Sequence, residues 1–408
     1  MAVSSVWDLC LGKPPLTSLS ANSATVADAL SALKAPGAED FVSVWSCDHR
    51  GRSDGPEEEE EEERCECKCV GKVCVVDVIC YLCRCSNADD AVDELLRKPV
   101  SVVVREAGVV SHVDPHSSLL EAINLMLEGA QNLVVPIESI ERNVSSTKSK
   151  KKFAQKSSIC TTNHNGREFC WLTQEDIVRY LLSSIGFFSP TPALSIESLG
   201  IIKTDCVSAV RYDDPASSTI NAISNALVKQ TAIAVVDEEG KLIGEVSPLT
   251  LASCDERVAA AIAVLSVGDL MAYIDCGGPP EYILQEVKVK LREKGLDGML
   301  ALLGELPISD SPPPSSASEE DDEESSSVLR SATQKYGRSG SFSGRRMVRS
   351  ADAIVCHPGS SLVAVMMKTL AYRVNYIWVI EDDCSLAGIV TFSDILKVFR
   401  EQLEAITK

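Results

Sequence analysis

A block of sequence recurs along this 408-residue chain, and the repeat limits the possible folds because each copy must form the same supersecondary unit. When Pro115, Pro215 and Pro358 are aligned without gaps, similar residues recur four, eight and twelve positions later. They are Leu119, Thr219 and Leu362, then Ile123, Ile223 and Met366, then Leu127, Leu227 and Leu370. This spacing predicts one buried face of a helix in each copy.

Two short apolar runs follow each predicted helix and indicate strands that are buried on both faces. The first runs are residues 133–135, 233–236 and 376–380. A polar turn separates these from a second run, which Gly244 or Gly388 opens in the third and fourth copies. A second helix then closes the unit. The sequence therefore predicts an α/β (α+β) fold of strand–helix–strand–strand–helix repeats.

A more degenerate copy at the start of the chain brings the number of repeats to four. Its helix is indicated by Val26, Ala29, Leu30 and Leu33, and its last helix by residues 77–82 after strands at 41–45 and 71–76. The predicted segments are repeats at 15–85, 100–185, 200–256 and 351–408, a helical connector at 257–306 and a linker at 309–350.

Polar insertions at 48–68 and 139–166 lengthen a turn in the first two repeats, and the linker is Ser-rich and acidic, then basic. Their low complexity predicts disorder. In the connector, the spacing of Tyr282, Val287, Val289 and Leu291 predicts a helix that packs on the second half of the chain.

The last repeat contains the run Gly388-Ile389-Val390-Thr391-Phe392-Ser393-Asp394. A glycine, a Thr or Ser three residues later and an Asp six residues after the glycine make this copy similar to the CBS (cystathionine-β-synthase) domain. Four tandem copies resemble the plant CBS-domain-containing proteins, which are distantly similar to the γ subunits of AMP-activated-type kinases. The resemblance implies two tandem pairs of repeats (Bateman modules), at about residues 19–182 and from residue 207 to the C-terminus.

The resemblance also implies that the clefts of each pair bind adenosine compounds such as AMP, ADP, ATP or S-adenosylmethionine. A carboxylate can accept hydrogen bonds from both ribose hydroxyls, and a Thr or Ser hydroxyl at a helix N-terminus can bind phosphate beside backbone N–H groups. The corresponding residues are Gly388, Thr391 and Asp394 in copy four, Thr173 and Asp176 in copy two, Asp77 in copy one and Ser247 in copy three.

Three copies depart from the family pattern. Copy two has Cys170 in place of the glycine, copy one has Cys74 in place of the hydroxyl, and copy three has Thr250 in place of the carboxylate. Helix capping is an alternative role for the same residues, because Thr is a common N-cap and Asp is favoured in the first turn of a helix. The sequence leaves ligand binding and capping open.

The net charge of −20 argues against nucleic acid or an anionic membrane as a partner, since both require a basic surface. No catalytic triad, phosphate loop or dinucleotide fingerprint appears in the sequence. We therefore expect a regulatory protein, not an enzyme, that requires no cofactor, acts on a partner such as a kinase and is compatible with homodimer assembly. A ligand-free interaction scaffold is the alternative.

The 16 cysteines are diluted over a long chain without a signal peptide, which favours a reducing, cytoplasmic location. The lysine-rich residues 148–156 are also typical of a nuclear signal, whereas the arginine-free residues 1–22 disfavour organellar import. The Cys65, Cys67 and Cys69 run lacks the two-residue gap of zinc knuckles and predicts no metal site.

Arginine-flanked serines in the linker resemble kinase sites. They are Ser339, Ser341, Ser343 and Ser350.

Overall fold

The computed structural model describes residues 5–47, 67–85, 92–104, 110–137, 162–164, 166–275, 280–304 and 352–407. The order of its helices and strands matches the predicted repeat unit. The elements of the first half are α1 (Val6–Cys10), β1 (Ser18–Ser20), α2 (Val26–Leu33), β2 (Val42–Trp45), β3 (Cys69–Val73), α3 (Val75–Cys85), α4 (Val92–Arg97), β4 (Val110–His112), α5 (Leu119–Leu127), β5 (Asn132–Ile137), β6 (Glu168–Thr173) and α6 (Gln174–Ser183).

Among the described residues, the second half has the same order, with four helices between its two repeats. Its elements are β7 (Ala209–Arg211), α7 (Ile220–Lys229), β8 (Ile233–Val236), β9 (Leu242–Val246), α8 (Pro248–Ser253), α9 (Val258–Val264), α10 (Val267–Asp275), α11 (Glu281–Glu293), α12 (Asp297–Leu302), β10 (Val355–Cys356), α13 (Leu362–Tyr372), β11 (Tyr376–Ile380), β12 (Leu386–Thr391) and α14 (Phe392–Thr407). The strand–helix–strand–strand–helix unit is thus confirmed.

Each repeat folds into its own three-stranded sheet. Its first strand pairs parallel with the second, because a helix crosses between them, and the second pairs antiparallel with the third across a turn. The strands predicted at 233–236 and 376–380 coincide with β8 and β11. Gly244 and Gly388 lie inside β9 and β12 instead of opening them.

The sheets pack in pairs, as expected for two modules. In the first pair, Trp45 and Cys69 of repeat one contact Val134 and Trp171 of repeat two. In the second pair, a cluster on the sheet faces joins repeats three and four through Ala232, Ala234, Tyr376, Trp378 and Ile389. Two tandem modules therefore form within one chain.

Helices join the two modules to each other. One core combines the helices of repeats one and three with the connector, and another combines those of repeats two and four with α1. Each repeat consequently contacts one neighbour through its sheet and another through its helices. These contacts link repeat one to two, two to four, four to three and three back to one. The helical faces of both modules are therefore covered within the chain.

The connector packs between the two halves of the chain. Helix α9 is apolar all round, and its residues Val258, Ala259 and Ala260 are fully buried, so it needs neighbours on every side. It lies between repeat three and α3 of repeat one, where the Cys83 thiol is 3.8 Å from the Ala259 carbonyl oxygen. The connector thus contacts repeat three in the second half and also repeat one, which the sequence did not indicate.

Helix α11 buries part of the predicted face, namely Val287 and Leu291. Its buried residues are Ile283, Val287 and Leu291, which recur every four positions. Tyr282 and Val289, which the sequence pattern placed on this face, are 69% and 49% exposed. Across the described residues, no helix has the length and apolar character to span a bilayer.

Candidate functional site

The glycine-to-aspartate turn of repeat four joins β12 to α14. Asp394 Oδ2 accepts hydrogen bonds from the Thr391 backbone N–H at 3.1 Å and from the Thr391 hydroxyl at 2.7 Å. In return, Thr391 Oγ1 accepts from the Asp394 backbone N–H at 3.3 Å. This reciprocal arrangement is a capping box, which satisfies donors at the start of the helix.

The second carboxylate oxygen of Asp394 lies outside the cap. It lies 3.9 Å from the Lys397 ammonium, one turn further along α14. Asp394 is buried. The turn therefore holds one acceptor in a fixed position beside a cation, which is the arrangement that a ribose hydroxyl or another donor would require.

Gly388 allows close approach of two backbone segments. A Cβ at this position would lie 2.7 Å from the Lys203 carbonyl oxygen and 2.7 Å from Ile202 Cγ2. The neighbouring residue, Ile389, exchanges two backbone hydrogen bonds of 2.9 Å with Lys203. The segment before β7 therefore pairs with the β12 edge, and only glycine leaves room for it.

The matching turn of repeat two uses the same cap but has an additional partner. Asp176 Oδ2 accepts from the Thr173 backbone and hydroxyl at 2.8 and 2.7 Å. Lys13, near the start of the chain, donates to the same oxygen at 2.5 Å and to the Trp171 carbonyl oxygen at 2.8 Å. Lys13 was not predicted from the sequence, because 163 residues separate it from Asp176.

The turns of repeats one and three complete the set. Asp77 is buried and its Oδ2 accepts from the Cys74 backbone N–H at 2.9 Å. Ser247 caps α8, where its Oγ accepts from the Thr250 backbone N–H at 3.0 Å. The capping interpretation thus describes all four turns, while ligand binding by Gly388, Thr391, Asp394, Thr173, Asp176, Asp77 and Ser247 stays a prediction.

Two of the turns meet at the interface between the modules. Gln174, the first residue of α6, donates from Nε2 to the Ser393 hydroxyl of α14 at 3.3 Å. Gln174 is buried, and Ser393 lies between Thr391 and Asp394 in sequence. The candidate sites of repeats two and four are therefore in direct contact, which the local sequence does not reveal.

Each module also buries a charged side chain at the position that follows its glycine. Glu245 accepts from the Tyr376 hydroxyl at 2.6 Å and from Trp378 Nε1 at 2.7 Å, across the two sheets of the second module. Lys72 takes the equivalent place in the first module, where it donates to Asn132 Oδ1. These inter-sheet charges were not predicted from the sequence.

Some predicted features lie outside the described residues. They are Cys65, residues 48–66 of the acidic insertion, the lysine-rich residues 148–156, and the candidate phosphorylation sites Ser339, Ser341, Ser343 and Ser350. Of the neighbouring cysteines, Cys69 is buried and donates to the Gly71 carbonyl oxygen at 3.3 Å. Burial raises the pKa of Cys69 to about 12, so this residue remains a thiol at neutral pH.

Comparisons with known proteins agree with this architecture. A family model described as the CBS domain matches residues 346–401. The chain is 47% identical over 408 residues to the CBS domain-containing protein CBSX5 of Arabidopsis thaliana, covering 98% of this chain and 97% of that protein. It is 20% identical over 339 residues to the Arabidopsis SNF1-related protein kinase regulatory subunit gamma-like PV42b, covering 82% and 76%.

A solved structure has the same fold over nearly the whole chain. It is protein MJ1225 of Methanocaldococcus jannaschii, described as a proposed archaeal homologue of γ-AMPK. The TM-score is 0.52 at 12% identity, with 97% of this chain and 100% of that chain covered. At this identity the likeness shows a common fold.

Proposed function

This chain belongs to the CBS domain-containing proteins, and from that premise we propose that it is a non-catalytic regulatory protein that binds adenosine-type ligands in its module clefts. AMP, ADP, ATP and S-adenosylmethionine are the candidate ligands. Binding changes how the two modules fit together and so modulates a protein partner. A kinase is the proposed partner, because a relative over 82% of the chain bears the name of a kinase regulatory subunit.

One observation carries the proposal: the turn with the full family motif lies at the interface between modules. Asp394 keeps Oδ1 outside its helix cap, and Ser393 in the same turn accepts from Gln174 of the other module at 3.3 Å. A ligand that binds Asp394 therefore alters a turn that contacts the other module. Differential contact of this kind is what a ligand needs to shift a conformational equilibrium.

The four turns are not equivalent as ligand sites. The Asp176 carboxylate already neutralises Lys13 at 2.5 Å, and Thr250 offers no carboxylate in repeat three. In repeat one, Cys74 supplies a thiol where the motif has a hydroxyl, and a thiol is a weak donor. We therefore assign the first ligand to repeat four.

An asparagine substitution separates ligand binding from capping. In Asp394→Asn, the amide oxygen can still accept from Thr391 and preserve the cap, but the amide nitrogen cannot accept from a ribose hydroxyl. Losing two hydrogen bonds to a charged acceptor, each worth roughly 1.5 to 3 kcal/mol, should weaken binding by a hundredfold or more. Isothermal titration with each candidate ligand measures the effect.

The control is a capping aspartate away from the motif. In α2, Asp28 Oδ2 accepts from the Thr25 backbone N–H and hydroxyl, both at 2.9 Å. Thr25 Oγ1 accepts from the Asp28 backbone N–H at 3.2 Å. Asp28→Asn should leave ligand affinity unchanged. Equal affinity in wild type, Asp394→Asn and Asp28→Asn would refute the repeat-four site.

A thermal-shift series tests the broader proposal. A ligand at a hundred times its dissociation constant stabilises the native state by about 2.7 kcal/mol. If none of the four ligands raises the unfolding temperature, the ligand-free scaffold replaces the sensor as the function. Each repeat already contacts its two neighbouring repeats within one chain. We therefore expect any ligand response to be independent of homodimer formation.

A further inference from the structure

We propose a zinc site formed by Cys47, Cys67 and His164, independent of the ligand clefts. The three ligand atoms, two Sγ and one imidazole nitrogen, all lie within 4.8 Å of one another. The His164 Nδ1 atom is 3.2 Å from Cys47 Sγ. For zinc bonded to sulfur and nitrogen, a tetrahedron has edges of about 3.5 to 3.8 Å, so small side-chain movements bring the three atoms onto one ion.

The fold brings the two cysteines together. Strands β2 and β3 are antiparallel, with Trp45 opposite Cys69, and the Ser46 N–H donates to the Lys68 carbonyl oxygen at 3.0 Å beyond that pair. Continuing this register by one residue places Cys47 opposite Cys67. In sequence Cys67 lies between Cys65 and Cys69, whereas in the fold it lies opposite Cys47, which follows the preceding strand.

The histidine comes from the second repeat. His164 lies just before β6, where it exchanges backbone hydrogen bonds of 2.8 and 3.1 Å with Arg167. Its ring stacks on the Trp45 indole, with ring centroids 3.6 Å apart and planes at 13°. Both side chains are buried. Stacking fixes the plane of the imidazole and aims one edge at the cysteines.

A chain of hydrogen bonds fixes which ring nitrogen carries the proton. The Ser43 hydroxyl donates to the Thr17 carbonyl oxygen at 2.9 Å, so it must accept in its 2.9 Å bond with Ser18. Ser18 Oγ therefore donates to Ser43 and must accept from His164 Nε2 at 2.9 Å. In the neutral ring, this leaves Nδ1 with a lone pair toward the cysteines.

This arrangement matches the way metal sites are built. A ligating histidine almost always donates its other N–H to a neighbouring acceptor, which orients the ring and sets its tautomer. Ser18 provides that acceptor, and Ser18, Ser43 and Trp45 are all fully buried. Two thiolates and one imidazole are a ligand set suited to zinc, with a fourth position left for another donor.

A metal at this place would join both repeats of the first module. Cys47 and Cys67 bound the connection between β2 and β3, while His164 ends the connection between β5 and β6. Zinc would thereby join the ends of two connections that belong to different sheets. Because structural zinc contributes directly to folding free energy, we expect its removal to destabilise the first module.

Cobalt is the probe for this site because it reports thiolate ligation by absorption. Full-length protein, reduced and freed of metal by a chelator, should bind one equivalent of Co²⁺ with a thiolate-to-cobalt charge-transfer band and tetrahedral ligand-field bands. Zn²⁺ should then displace the cobalt. A folded wild-type chain that shows no such band, or whose cobalt is not displaced by zinc, would overturn the proposal.

Variants test the individual ligands. Cys47→Ser and His164→Gln should abolish the cobalt band, whereas Cys384→Ser, which removes an exposed cysteine in repeat four, should keep it. Ser18→Ala removes only the acceptor of the imidazole N–H and should weaken zinc binding by roughly 10- to 100-fold. Circular dichroism of each metal-free variant confirms folding. Unchanged zinc affinity in the folded Cys47→Ser and His164→Gln variants would exclude these residues as ligands.

Discussion

Replacing Glu245 with alanine should severely destabilise the second module. This carboxylate is 3% exposed and accepts from Tyr376 and Trp378, which belong to the opposite sheet and are 2% and 0% exposed. Truncation leaves two buried donors without their acceptor, each at a cost of about 1 to 3 kcal/mol. We expect a total loss of about 3 to 5 kcal/mol, which is large beside the stability of a typical domain.

The measurement is urea unfolding followed by tryptophan fluorescence and circular dichroism, since Trp378 reports directly on this interface. Glu245→Gln keeps one acceptor oxygen and should cost about half as much as the alanine change, roughly 1 to 3 kcal/mol. A double-mutant cycle with Tyr376→Phe should give a coupling energy of about 1.5 to 3 kcal/mol.

The matched control is Glu239→Ala in the same hairpin. Its side chain is 71% exposed and pairs with Lys241 at the surface, so its removal should leave the unfolding midpoint unchanged. If Glu245→Ala unfolds at the same urea concentration as Glu239→Ala, the buried carboxylate does not hold the two sheets together.

Three further predictions concern other parts of the chain. Burial raises the pKa of Glu39, whose Oε2 has no hydrogen-bond partner among the described residues. A raised folded-state pKa means that stability is lost as pH rises through it, so Glu39→Gln should stabilise the protein at pH 7 and have no effect below about pH 4. Thermal melts at both pH values would contradict this if no gain appeared at pH 7. Gly388→Ala should cost about 1 to 3 kcal/mol through its clash with Lys203, whereas Gly359→Ala meets nothing within 4 Å and should be neutral in the same melts. Mass spectrometry of protein from its native source should find phosphate on serines within residues 331–350, and consistent absence under varied energy states would remove that idea.

Much of the fold followed from local patterns. Helical spacing at three or four residues and short apolar runs depend on neighbours in sequence, so they located the helices and inner strands of repeats two to four. The strands predicted at 233–236 and 376–380 coincide with β8 and β11. The capping chemistry of Thr391 and Asp394 is also local, because three residues separate donor and acceptor.

The choice of partners was decided only in three dimensions. Which helical faces pack together depends on the shapes of surfaces from distant segments, so the sequence did not indicate that repeat one meets repeat three. The same holds for Lys13 beside Asp176 and for Cys47 beside His164, which are 163 and 117 residues apart. Periodicity indicates which side of a helix or strand is buried but not which segment covers it. The covering segment determines both the site at the module interface and the cysteine–histidine cluster.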